Sequence, residues 1–101
     1  MSTPSLHIVN KSSLDSNALT SCLAVSTPGD CLLLIEDGAY SVLDPSGLQT
    51  LLHAHLEIYV LAEDMQARGL DAGSLDSRLC CVDYAGFVAL ACRCARTVSW
   101  S

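Results

Sequence analysis

The chain opens on a short apolar run, Leu6-His7-Ile8-Val9, which stops at Asn10-Lys11-Ser12-Ser13 and gives way to apolar residues at helical spacing, Ala18, Leu19, Cys22 and Leu23. This pattern predicts a strand over 6–9 and a helix over roughly 15–25, with Asp15 to Asn17 supplying capping oxygens. Pro28-Gly29-Asp30 is turn chemistry. Cys31 to Ile35 is a continuous apolar run of strand length, as expected for a strand buried on both faces. Beyond Glu36-Asp37-Gly38 a short helical piece is expected around 39–43, then a break at Asp44-Pro45-Ser46-Gly47 and a second piece around 48–56. Ile58 to Ala62 reads as a third strand. Glu63 to Arg68 reads as a short helix ended by Gly69, acidic at its start and basic at its finish, as the helix dipole favours. A loop over 71–76 leads to a fourth strand at 79–82. Asp83 then caps a helix whose expected inner face is Tyr84, Phe87, Val88, Ala91 and Ala95. A last strand spans about 97–100.

Strands that alternate with helices, several of them uniformly apolar, indicate a mostly parallel sheet covered on both sides. The expected fold is a single three-layer α/β/α domain over residues 1–101, with about five strands. A length of 101 residues suits one core and leaves nothing for a second. Half of the residues are hydrophobic and only 16% are charged, so the chain either encloses its sheet fully or leaves apolar surface for partners. No run approaches the roughly 18 apolar residues of a membrane span. The opening MSTPSLHIVNK also lacks the basic-then-apolar pattern of a secretion signal. The expectation is a cytoplasmic protein without a membrane partner.

The net charge is −6, and the five cations are scattered at Lys11, Arg68, Arg78, Arg93 and Arg96. Holding a phosphate backbone takes clustered cations, because the affinity comes largely from counterion release. Direct nucleic-acid binding is therefore not expected. No two glycines fall in a GxGxxG or GxxxxGK[ST] spacing, so no nucleotide or other cofactor is expected. Of the six cysteines, Cys80 and Cys81 are adjacent on a strand and point to opposite faces, while Cys92 and Cys94 diverge around a helix end. There is no CxxC pair and no His-x₃₋₅-His, and His53 and His55 lie far from the cysteines along the chain. Reduced, mostly buried thiols without a metal are the expectation. Nothing pairs His7, His53 or His55 with a nucleophile.

Several segments read together carry a resemblance: LHIVNKS at 6–12, NALTSCL at 17–23, LLLIEDGAYSVL at 32–43, YVLAEDMQARGL at 59–70, VDYAGFVAL at 82–90 and VSW at 98–100. In that order and spacing the chain resembles the TusB/DsrH family, small subunits of the TusBCD and DsrEFH sulfur-transfer complexes. The resemblance implies a DsrE/F/H-like α/β fold. It also implies a heterohexamer with TusC/DsrF-like and TusD/DsrE-like subunits that passes persulfide sulfur between protein cysteines. In the Tus branch the sulfur ends as 2-thiouridine at the wobble position of transfer RNA; in the Dsr branch the complex serves sulfur oxidation. The main sulfur acceptor of such assemblies lies on the TusD/DsrE subunit. The match at Cys22 to DsrH-type members is what makes that residue the candidate persulfide carrier here.

A relay thiol must be accessible and is best activated by a helix N-terminus or a cation. Cys22 instead lies about two turns into its expected helix, on one face with Leu19 and Leu23. No Lys or Arg occurs between Lys11 and Arg68. A packed core thiol in a structural, non-catalytic subunit is the preferred reading, with tRNA thiolation as the pathway. The alternative is a DsrH-type carrier in sulfur oxidation. The acidic pairs Glu36-Asp37 and Glu63-Asp64 each follow a strand, where they could line a crevice; helix capping is the preferred role.

Overall fold

The computed structural model describes residues 3–14 and 16–101. Five strands form one wholly parallel sheet: β1 (Ser5–Val9), β2 (Cys31–Leu34), β3 (Glu57–Leu61), β4 (Leu79–Val82) and β5 (Arg96–Trp100), in the spatial order β4-β3-β2-β1-β5. The chain walks from β1 to β4 in one direction and then returns across the whole sheet to set β5 against the free side of β1. The connecting helices follow from that path, because right-handed crossovers change face when the direction of travel reverses. Helices α1 (Ala18–Val25), α2 (Pro45–His53) and α3 (Ala62–Ala67), with a 3₁₀ segment over Glu36–Leu43, pack on one face around Leu19, Cys22, Leu34, Leu51, Val60 and Met65. Helix α4 (Tyr84–Arg93) alone covers the other, through Leu90 with Leu6, Leu33 and Leu61 beneath it.

Several local expectations change in the structure. Pro45 does not break a helix but opens one, at the first-turn position where its missing N–H costs nothing. Helix α1 begins at Ala18; Asn17 forms no side-chain cap there, and Ser16 Oγ accepts the Ala18 N–H at 3.1 Å. Asp15 lies outside the described residues. Asp83 does cap α4, accepting the Gly86 N–H at 2.8 Å. The face that α4 buries is shifted from the expected one: Phe87 and Ala91 pack inward as expected, beside the buried Leu90 and Cys94, whereas Tyr84 and Val88 are more than half exposed and Ala95 is exposed. A lone helix crossing a wide sheet meets it along one narrow stripe, so residues a third of a turn away are left in solvent.

The thiols divide evenly. Cys22, Cys31 and Cys94 are buried, while Cys80, Cys81 and Cys92 are exposed. This corrects the expectation of mostly buried cysteines. Cys80 and Cys81 lie on the edge strand β4, where each keeps enough exposure to meet solvent, and Cys92 is exposed on α4.

Two glycines are fixed by close approach. A Cβ on Gly38 would collide with the Val9 carbonyl oxygen, and one on Gly86 would lie 2.9 Å from Val82 Cβ. Gly86, in the first turn of α4, thus lets the helix start directly on top of the strand that precedes it.

Candidate functional site

Cys22 sits on the inner face of α1 with no solvent exposure, packed in the same cluster as Leu19, Leu32 and Val60. Burial, and secondarily the Asp30 carboxylate, push its thiol up to about 12. At neutral pH it is a protonated thiol, with neither the thiolate nor the access that attack on a persulfide requires. Cys31, at the start of β2, is likewise unexposed. Burial raises its thiol to about 11, against the opposing contact of Arg93, whose Nη2 lies 3.4 Å from the sulfur. Arg93 also reaches the Tyr59 hydroxyl at 3.3 Å and Glu57 at 3.7 Å.

Of the two acidic pairs, only Glu63 and Asp64 meet a backbone N–H at the start of a neighbouring element, while Glu36 and Asp37 cap none among the described residues. The Asp64 carboxylate accepts the Glu36 N–H at 2.6 Å, at the start of the 3₁₀ segment. Glu63 accepts the N–H of Tyr84 at 3.3 Å, at the start of α4. Arg68 holds Asp37 at 3.0 Å and Asp64 at 3.8 Å. With Asp64 and Glu63 on backbone N–H groups and Asp37 on Arg68, this end of the sheet is cross-linked between elements, while Glu63 Oε1 is buried without a partner among the described residues.

A constellation that no local pattern announces runs along β1, from Asp30 before β2 to Trp100 at the far end of β5. His7, buried in β1, lies between Asp30 and Trp100. Its Nε2 is 3.0 Å from Asp30 Oδ2, and its Nδ1 is 3.2 Å from the indole nitrogen of Trp100. Asp30 also accepts the backbone N–H groups of Ser5 at 3.0 Å and Thr27 at 3.1 Å. Burial acts to raise the Asp30 pKa, but these N–H groups together with His7 outweigh it and hold the carboxyl below its usual value. Beside this group a cavity of about 510 Å³ opens between the end of α1 and the β1–β5 edge, lined among others by Ser5, Val25, Asp30, Arg96 and Trp100. The only sequence signals for it were a histidine at a core-facing strand position and an aspartate just before the next strand. Their third partner lies 93 residues away from His7.

The sequence family described as DsrH like protein matches residues 11–97. The chain belongs to this family. Among its relatives, Protein TusB of Erwinia tasmaniensis is 40% identical over 83 residues, covering 81% of this chain and 86% of that one. Protein TusB of Salmonella dublin is 37% identical over 90 residues, 88% and 90% of the two chains. That of Escherichia coli O81 is 34% identical over 79 residues, 77% and 82%. The crystal structure of the ychN protein from E. coli shares the fold, with a TM-score of 0.73 over 96% of this chain and 98% of that one, at 11% identity. The DsrH-like match contains Cys22, Asp30 and Arg96 and stops short of His7 at one end and Trp100 at the other.

Proposed function

We propose that this chain is a structural subunit of a persulfide-relay complex of the TusBCD type, which supports 2-thiolation of the wobble uridine in transfer RNA, and that it carries no relay sulfur itself. The observation that carries this reading is the state of Cys22: unexposed, protonated at neutral pH, and packed among aliphatic side chains. Family membership supplies the setting.

The surface supports an assembling role in the cytoplasm alongside TusC-like and TusD-like partners in a heterohexamer. Leu14, Leu43, Tyr84 and Val88 are large apolar side chains left more than half exposed, which gives such partners apolar surface to cover. Contact with RNA falls to other subunits. Arg68, Arg78 and Arg93 are each within 4 Å of a carboxylate, so little free positive charge remains to displace counterions. No helix among the described residues is long and apolar enough to cross a membrane.

The test is co-expression with TusC- and TusD-like subunits, sulfur loading of the purified assembly, and mass spectrometry of each chain. The expected result is a defined hetero-oligomer with added sulfur on a partner and none on Cys22. In a deletion strain, wobble thiolation is expected to fall because the assembly fails. A persulfide on Cys22 would establish the alternative, in which this subunit is itself a carrier. A monodisperse monomer that never exchanges with such partners would remove the complex reading altogether.

A further inference from the structure

Arg96 stands apart from the other arginines. Arg68, Arg78 and Arg93 are each tied to a carboxylate. Among the described residues Arg96 has one partner, the Ser5 hydroxyl, which takes its Nε at 3.1 Å. Both Nη nitrogens are left over, and the residue lines the 510 Å³ cavity. The volume falls within the range of small-molecule sites. The walls divide by chemistry: Val25, Val98 and the Trp100 indole are apolar, while Arg96, Ser5 and Asp30 are polar.

We infer that this cavity is a binding site for a small monocarboxylate with an apolar body, its carboxylate held by the free Nη edge of Arg96 and its body against Trp100, Val25 and Val98. A planar carboxylate matches the two parallel N–H groups of that edge. The charge inventory selects a monoanion over phosphate. His7 takes the Trp100 N–H on Nδ1, so it is a neutral imidazole and adds no cation. Asp30 lines the same cavity and places one negative charge against the single positive charge of Arg96. The two cancel, so a monocarboxylate leaves the cavity with a net charge of −1 and a dianion with −2, and the smaller charge is the one a single guanidinium edge can hold.

The cavity carries its own reporter, since Trp100 is the one tryptophan in the chain. The experiment titrates hexanoate into a dilute solution of the full chain and follows Trp100 emission. 1-Hexanol and inorganic phosphate serve as the neutral and dianionic comparisons. A saturable change with hexanoate is expected, at least about tenfold tighter than with either comparison, the loss that goes with one charge-assisted pair. Arg96→Gln is expected to weaken hexanoate by a similar factor, and Arg96→Lys by less. Val25→Glu, at an exposed position where the fold tolerates the change, is expected to weaken it by bringing a second carboxylate to the cavity. Far-UV circular dichroism confirms that each variant is folded. The inference is overturned by the absence of a saturable response, by equal binding of 1-hexanol, by stronger binding of phosphate, or by a folded Arg96→Gln that binds hexanoate as before.

Discussion

Trp100 donates its indole N–H to Nδ1 of His7. Because an indole nitrogen can only donate, that one contact fixes the histidine as the tautomer protonated on Nε2, which in turn donates to Asp30. Strand β5 is thereby joined to β1 and to the loop before β2 by a polar line inside the hydrophobic face. Removing the donor leaves Nδ1 buried and unpaired. Trp100→Phe is expected to cost about 1–3 kcal/mol beyond its lost packing, measured by urea denaturation. Nitrogen NMR of His7 tests the tautomer directly: Nε2 should carry the proton in the native protein, and a resonance pair showing the proton on Nδ1 would refute the assignment.

The same line makes stability depend on acid. The folded-state pKa of Asp30 lies below the ordinary value of 3.8. Its contribution is therefore fully present above that value and is lost as pH falls through the lower, folded one. Asp30→Asn is expected to cost about 2 kcal/mol at neutral pH, the scale of hydrogen bonds to a charged group. The difference from the native protein should shrink well below pH 3.8. Denaturation curves at neutral and acid pH check this, and an equal deficit at both would show that the carboxylate charge is irrelevant.

Cys22 offers a contrast between two small substitutions. Cys22→Ser puts a hydroxyl among Leu19, Leu32 and Val60, where its one near acceptor is the Ala18 carbonyl a turn back in α1, at a cost of about 1–3 kcal/mol. Cys22→Ala adds no polar atom and should be milder, with sulfur transfer by the complex retained. An assembled but inactive Cys22→Ala complex would reassign the residue to the relay.

The division of the thiols is open to direct counting. Brief alkylation of the native chain is expected to label Cys80, Cys81 and Cys92 and to spare Cys22, Cys31 and Cys94, which react only in denaturant. Partial burial, followed by the Glu63 charge, raises the Cys81 thiol, so its labelling should accelerate as pH rises. Peptide mapping distinguishes the sites, and early labelling of Cys22 would contradict its burial.

Of the six glycines, Gly38 is the one whose added Cβ would meet the closest obstruction. Its missing Cβ is what allows the 3₁₀ segment to lie on the Val9 carbonyl, and the obstruction is main chain that cannot rotate away. Gly38→Ala is expected to cost about 3 kcal/mol, at the upper end of overpacking effects. Thermal unfolding measures it, and a native-like melting temperature would show that the two segments separate easily.

Element type and order were legible because the signals are local. CLLLI can only be comfortable where both faces are covered, and Asp83 announces α4 as a cap in the sequence and in the structure alike. What stayed hidden depended on placement across the sheet. Nothing near Cys80 and Cys81 says that β4 is an edge, and nothing in α4 says which of its apolar residues will meet the sheet. Cys22 was legible as a packed thiol from its neighbours Leu19 and Leu23. The His7–Asp30–Trp100 line was not, since it exists only once β5 pairs in parallel with β1.

The late return of the chain to β1 also sets an order of assembly. Strands β1 to β4 are joined to their neighbours through short crossovers, so that four-stranded unit can form from contacts made successively along the chain. The β1–β5 pairing, which matches Ser5 with Arg96, joins the two ends of the sequence and so cannot form until the last strand has been made. During synthesis the open edge of β1 therefore waits for the last strand to emerge, with His7 and Asp30 already in place and their indole partner still missing.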